Sequence, residues 1–248
     1  MGHGVDVSLV ATFHREGYVA GWTLDNLARV RHEADVAGLS HELICVLDKA
    51  DDETTSAVED HAGLRPQDRV AKVDHGDPGT SRNEGVSRAC GEFVATFDGD
   101  DYCSREWLTK AYRVMAAEPA TRIVHPEFIV SFGGRHCVER TLDQEKDVVP
   151  REALLLINPW GSCVLAARHA MASCPYLSTC AESTGFGFED WHWNLEMLAR
   201  GFKFVVAPGT ALYYRRKAKS ILNQELSGNA IVRPSAFFRP KSGAGRAP

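Results

Sequence analysis

Four short apolar runs, most of them followed by a turn and a helical pattern, limit most strongly what this chain can fold into. They span residues 5–12, 42–47, 69–73 and 93–97. The second, Glu42-Leu43-Ile44-Cys45-Val46-Leu47, is nearly continuous. Strands that carry no polar alternation are those covered on both faces, as in parallel sheets. Between the runs lie helical patterns. One has Leu24, Leu27, Ala28 and Arg31 on a face, a short one runs over 51–61, and a third runs over 81–89. Strand–helix alternation predicts an α/β domain with a mostly parallel sheet flanked by helices. Right-handed crossovers then bring the C-terminal ends of the strands to one edge.

Beyond Asp101 the pattern loosens. Trp107, Leu108, Ala111 and Met115 mark an amphipathic helix, and Trp191, Leu195 and Leu198 another. Short strands are expected at 123–124, 128–130, 162–167, 203–207 and 211–214, and a polar loop over 135–149. From about Arg233 the chain turns rich in Pro, Gly, Ser and basic residues, which reads as a flexible tail over 233–248.

Composition excludes several classes. With 44% hydrophobic and 25% charged residues the chain can bury a core. The net charge of -5, without a basic stripe, argues against nucleic acid as a partner. No apolar stretch reaches the ~20 residues of a membrane span, and no signal segment is evident. Seven cysteines are scattered without a Cys-x-x-Cys pair, and Cys45, Cys90 and Cys163 read as small core residues. Free thiols of this kind suit the cytoplasm, with peripheral membrane attachment left open.

The chemistry concentrates at strand ends. Asp98-Gly99-Asp100-Asp101 follows the run 93–97, where open α/β sheets bind ligands. Three carboxylates in four residues repel one another and call for a cation; Mg2+ or Mn2+, oxygen-seeking and able to bridge carboxylate to phosphate, suits them. The alternative is a solvated acidic turn. Asp48 ends another strand on the same edge, and is either a ligand for a base N–H or an ordinary turn residue.

Residues 79–101, containing Gly79-Thr80-Ser81-Arg82-Asn83-Glu84-Gly85 and Gly91-Glu92-Phe93 through Asp101, resemble the core signature of family 2 glycosyltransferases with the GT-A fold. Val7 to Glu16 resembles the first strand and nucleotide loop of that family, and Gly185 to Trp191 its acceptor-side Glu-Asp-Trp motif. The resemblance covers about residues 5 to 222. It implies a nucleotide-sugar-binding half over 1–101 and an acceptor-side, catalytic half over 102–232. It further implies that Ala11, Thr12, Phe13, Glu16, Asp48, Arg82 and Asp98 bind nucleotide, that Asp98 and Asp100 hold the metal, and that Asp190 is the catalytic base. Asp101, Glu189, Trp191 and His192 would lie towards the acceptor or donor sugar. Trp191 is also expected in the helix core, and Trp160-Gly161-Ser162 at a site wall. Lys217 stands near the place where relatives often carry a His ligand; either the metal lacks that ligand, or Lys217 or Arg216 meets diphosphate directly.

The implied activity is a metal-dependent, inverting, hexosyltransferase-type transfer. A sugar moves from a nucleotide diphosphate donor, UDP by default, to the hydroxyl of a glycan, lipid-linked or small-molecule acceptor. The competing reading is a catalytically silent sugar-nucleotide-binding module. A nucleotidyltransferase is disfavoured because no Gly-rich basic loop follows the first strand. A dinucleotide-binding dehydrogenase is disfavoured because no Gly-x-Gly-x-x-Gly does.

Overall fold

The structure, a computed structural model, describes residues 4–218 and 220–239. Strands β1 (Val7–Phe13), β2 (His41–Asp48), β3 (Arg69–Val73) and β4 (Phe93–Asp98) alternate with helices α1 (Val19–Val36), α2 (Asp52–Glu59) and α3 (Pro78–Arg88). Then come β5 (Tyr102–Cys103), α4 (Trp107–Ala117), β6 (Arg122–Phe132), β7 (Cys137–Arg140), β8 (Val164–Ala167) and α5 (Arg168–Ser173). The chain continues through α6 (Ala181–Thr184), β9 (Phe186–Gly187), α7 (Glu189–Ala199), β10 (Lys203–Arg215), α8 (Ile221–Ser227) and β11 (Ile231–Val232).

One sheet runs β3-β2-β1-β4-β8-β6-β10-β5, with β7 paired to β6. Its first four strands are parallel, as the apolar runs predict, and every residue of β2 is buried. Beyond β4 the sheet becomes mixed: β8 is antiparallel to β4 and β6, while β10 runs parallel to β6. Trp107, Trp160 and Trp193 are among the largest side chains fully enclosed in the core.

Local chemistry fixes the helices that reach the strand-end edge. Asp77 caps α3 by accepting from the Thr80 N–H at 2.7 Å, and Pro78 opens the helix where a missing N–H costs nothing. Gly85 lets α3 lie directly on β1. A Cβ there would stand 2.2 Å from Val10 Cγ1.

The second half departs from the sequence reading in several places. The two short strands at 123–124 and 128–130 are one strand, β6, and those at 203–207 and 211–214 are β10. The apparent break in β10 is a register shift between Ala207 and Ala211, with Gly209 at φ 68°. The polar stretch 135–149 contains β7, whose exposed face hid it from a search for apolar runs. Cys90 is exposed at the turn into β4, with Sγ 3.3 Å from an Arg69 nitrogen, whereas Cys45 and Cys163 are buried. Residues 233–239 are docked: Ser235, 5% exposed, donates to Glu196 on α7 at 2.8 Å. The rest of the expected tail, 240–248, lies outside the described residues.

Candidate active site

The acidic turn sits at the C-terminal end of β4. Gly99 makes it possible: a Cβ there would lie 2.5 Å from the Phe13 ring and 2.8 Å from the Thr12 carbonyl. The turn is drawn tightly over the end of β1, and the Thr23 hydroxyl holds the Gly99 carbonyl at 2.9 Å.

Each acid in the turn has its own setting. Asp98 accepts from Arg82 Nη2 at 2.6 Å on one oxygen and from the Ser162 hydroxyl at 2.6 Å on the other. Burial alone would raise its pKa; Arg82 and Ser162 outweigh that and hold it below the usual carboxylate value. Asp100 faces the Lys217 ammonium at 2.7 Å and Arg215 Nη1 at 3.6 Å, both at Oδ2. Asp101 accepts the Arg215 backbone N–H at 2.8 Å. Burial, then the charges of Asp98 and Asp100, push its pKa well up.

Arg82 joins this turn to the second half of the chain. Its side chain is 3% exposed, and its other nitrogen donates to Glu189 at 2.7 Å. The guanidinium also lies over the Tyr176 ring at 5.5 Å, and that ring stacks on Trp193. Glu189 opens α7 directly after Phe188, which adopts the left-handed backbone at φ 57°. Glu225 on α8 accepts the Phe188 N–H at 2.9 Å and so fixes this turn from outside.

Asp190, next in α7, is partly exposed. Its carboxylate accepts from its neighbour, the Trp191 N–H, at 2.7 Å and from the Asn158 amide at 3.3 Å. Burial and the adjacent Glu189 charge push its pKa up to about 7, against the opposing pull of Arg82. Tyr214 on β10 registers the convergence of these groups. After burial, the charges of Asp101, Asp98, Asp190 and Asp100 all raise its pKa.

The glycosyl transferase family 2 profile matches residues 8–171, two thirds of the chain and every element from β1 to the acidic turn. The chain belongs to glycosyl transferase family 2. Solved structures agree on the fold. TarS from S. aureus (1-349, in complex with UDP-GlcNAc) superposes with a TM-score of 0.65 at 18% identity, covering 88% of this chain and 60% of that one. The mannosyltransferase PcManGT from Pyrobaculum calidifontis, in complex with GDP-Man and Mn2+, gives 0.61 at 18% identity, covering 89% and 59%. The chain thus spans about three fifths of the length of these structures. No curated protein matches the sequence.

Within this family 2 framework, the structure places the other expected site residues as follows. Ala11 and Phe13 have their side chains in the core, so only their backbone reaches the edge; Thr12 is half-buried there. Glu16 accepts the His14 N–H at 2.5 Å and lies 3.8 Å from Lys217. Burial raises its pKa despite that N–H and that ammonium.

Asp48 departs from its expected role as a reader of the base. Its carboxylate accepts from the His75, Gly76 and Asp77 N–H groups at 2.7, 2.8 and 3.1 Å and from the Ser81 hydroxyl at 2.6 Å. Four donors fill the lone-pair positions of a carboxylate, so Asp48 builds the loop before α3. Arg82 is likewise a buried strut between two acids. Trp191 is only partly buried, sends its indole N–H to the Leu154 carbonyl at 3.0 Å, and leaves the core place to Trp193. His192 is 5% exposed and packs beside Glu196 and the backbone of Pro234, where burial lowers its pKa.

Ser162, Glu189 as partner of Arg82, and Glu225 went unassigned to these roles in the sequence. Ser162 was read only as a wall residue, and Trp160 beside it is core. A buried Arg requires acid partners, which is the signal that points to Glu189; nothing local in sequence points to Glu225.

The acidic turn is chemically suited to a hard cation. Asp101 Oδ2 is buried without a hydrogen-bond donor, while Asp100 Oδ2, also buried, is answered by the charges of Lys217 and Arg215, places where a divalent ion could supply positive charge. Asp98 accepts one donor on each oxygen, from Arg82 and Ser162, and keeps a further lone pair on each. Among the described residues no group of three or more His, Cys, Asp or Glu side chains is arranged as a complete metal cage. Asp98 and Asp100, the two acids expected to hold the metal, can therefore each offer a carboxylate oxygen to such an ion.

Proposed function

We propose that this chain is a hexosyltransferase that moves a sugar from a nucleotide diphosphate donor, UDP by default, to an acceptor hydroxyl with inversion at the anomeric carbon. The observation that carries the reading is the Asp98–Arg82–Glu189 bridge, which ties the acidic strand-end turn to the start of the helix that bears Asp190. Similar structures hold UDP-GlcNAc in one case and GDP-Man with Mn2+ in another, which supports a nucleotide-sugar donor. A divalent cation bound at Asp100, Mn2+ or Mg2+, supplies electrostatic neutralisation of the leaving diphosphate.

The chain's own residues do the rest. Asp190, with a pKa of about 7, is ionised often enough at neutral pH to take a proton and basic enough to do so usefully. It removes the acceptor hydroxyl proton as that oxygen attacks the anomeric carbon from the side opposite the diphosphate. Asn158 holds one carboxylate oxygen of Asp190 and is itself held by Asn194 at 3.0 Å. Arg82 pairs with Glu189 at 2.7 Å without engaging Asp190. The unpaired state of all seven cysteines supports a cytoplasmic setting. No helix among the described residues is long and apolar enough to cross a membrane.

The direct test is release of nucleoside diphosphate from UDP-sugars and GDP-mannose with Mn2+, with and without candidate acceptors. Acceptor-stimulated release that Asp190→Asn abolishes supports the transferase. Nucleotide binding with no release under any combination leaves a binding module.

A further inference from the structure

The strongest unexplained feature of the site is the lysine that sits on its metal-facing acid. Lys217 follows β10 and reaches back to place Nζ 2.7 Å from Asp100 Oδ2 and 3.8 Å from Glu16 Oε1. Its side chain is 32% exposed, while that of Asp100 is 12% exposed. Arg215 stands behind it at 3.6 Å from the same Asp100 oxygen. Asp98 is neutralised separately by Arg82, so Lys217 and Arg215 are the cations that answer the charge of Asp100. At 2.7 Å the Lys217 contact is the shorter of the two cationic contacts on Oδ2, the other being Arg215 at 3.6 Å.

We infer that Lys217 is a resident counter-cation: it occupies the metal-facing oxygen of Asp100 in the donor-free protein and moves to the diphosphate when donor and divalent cation bind. The inference rests on the reading of Asp100 as the metal-binding acid. An ammonium and a dication cannot both sit on one carboxylate oxygen at such distances, because their repulsion adds to the lost contact. A free divalent ion must therefore displace Lys217 with nothing to receive it. A nucleoside diphosphate changes that, since its oxygens accept charge-assisted hydrogen bonds from an ammonium on a flexible four-carbon stem. Metal and donor then bind as a pair, and the coupling is reciprocal: each tightens the other by the same factor. The site would stay closed to free metal and open only to metal that comes with its phosphate.

The experiment is a Mn2+ titration followed by the electron paramagnetic resonance signal of the free ion, on wild type, Lys217→Met, Lys217→Arg and Asp100→Asn, each with and without UDP. Wild type binds Mn2+ weakly alone, and UDP tightens it by about tenfold or more, within the usual range of coupling. Lys217→Met binds Mn2+ alone about tenfold more tightly than wild type, and the gain from UDP shrinks. Lys217→Arg keeps the charge and behaves like wild type, which separates competition from damage to the loop. Lys217→Met binding Mn2+ alone no more tightly than wild type, while Asp100→Asn loses Mn2+ in the presence of UDP, overturns the exchange and leaves the metal assignment standing. Asp100→Asn that retains Mn2+ and UDP as wild type does overturns the metal assignment and the exchange with it.

Discussion

The two acidic turns of this protein face the same region and are held in opposite electrostatic states. At the end of β4, Asp98 and Asp100 are met by Arg82, Lys217 and Arg215, and the pKa of Asp98 is held down. At the start of α7, Asp190 receives one backbone N–H and one long amide contact, stands next to Glu189, and has a pKa of about 7. In the first turn Asp98 is held anionic and positive charge gathers at Asp98 and Asp100, while burial and those two charges push the pKa of Asp101 up. The second is built to exchange a proton near neutrality. Arg82 makes the difference possible, because it neutralises Asp98 and Glu189 at once and leaves Asp190 without a direct cationic partner.

The hardest blow to this comparison is Asp190→Asn. The change keeps the shape and one of the two accepted N–H contacts and removes the proton acceptor. Turnover should fall by about 10²–10⁴-fold, the usual contribution of a positioned general base, with the UDP dissociation constant unchanged. Steady-state kinetics together with a nucleotide titration check it, and near-wild-type turnover would remove Asp190 from the mechanism. Next in size is Arg82→Met, which strips the shared cation from buried Glu189 and half-buried Asp98. Taking one partner from a buried ion pair costs about 3–5 kcal/mol. Urea unfolding at neutral pH should show a loss of that order, and a loss below about 1 kcal/mol would mean that the bridge does not hold the turns together.

The halves also differ in how much of them could be read in advance. The parallel half was legible because strands buried on both faces must be apolar throughout, as β1 and β2 are, and because Gly99 between acids at a strand end has few alternatives. The second half was less so. β7 has an exposed, polar face, and β10 is interrupted by a bulge, so neither shows a clean run. Trp191 and Trp193 share one helix; the 191/195/198 spacing points to Trp191 for the core, and the structure puts Trp193 there instead. Within the site, types and places of the acids were visible while their partners were not. Asp48 has the right place for a base reader but satisfies four donors of the α3 loop, a fact of tertiary geometry. The resemblance implies that Arg82 binds nucleotide, and nothing local shows its two acid partners, which lie 16 and 107 residues away.

A third test sharpens the contrast through pH. Asp190 must be ionised to act, so kcat should climb about tenfold per pH unit below its pKa and level off above about pH 7. Asp98 supplies no such limb in that range, because its pKa is depressed. A profile flat from pH 5.5 to 8 would show that Asp190 is ionised throughout and that the two turns do not differ as described.

The smallest effect concerns Glu225, which supports the second turn from α8. Burial raises its pKa to about 7, while the Phe188 N–H pulls the other way. A carboxyl whose folded pKa lies above its unfolded value contributes stability that is complete below about pH 4.3 and is lost as pH rises through 7. Glu225→Gln keeps an acceptor for the Phe188 N–H and removes the titration. Between pH 5 and 8 its Tm should therefore fall less than that of wild type, by about a few degrees. Glu225→Ala loses the acceptor as well, so the left-handed Phe188 turn loosens and kcat should drop even at pH 8, where Glu225→Gln stays near wild type. Equal pH slopes for wild type and Glu225→Gln would mean that this carboxyl titrates as if in water. The second turn would then owe its high pKa to Glu189 and its own burial alone.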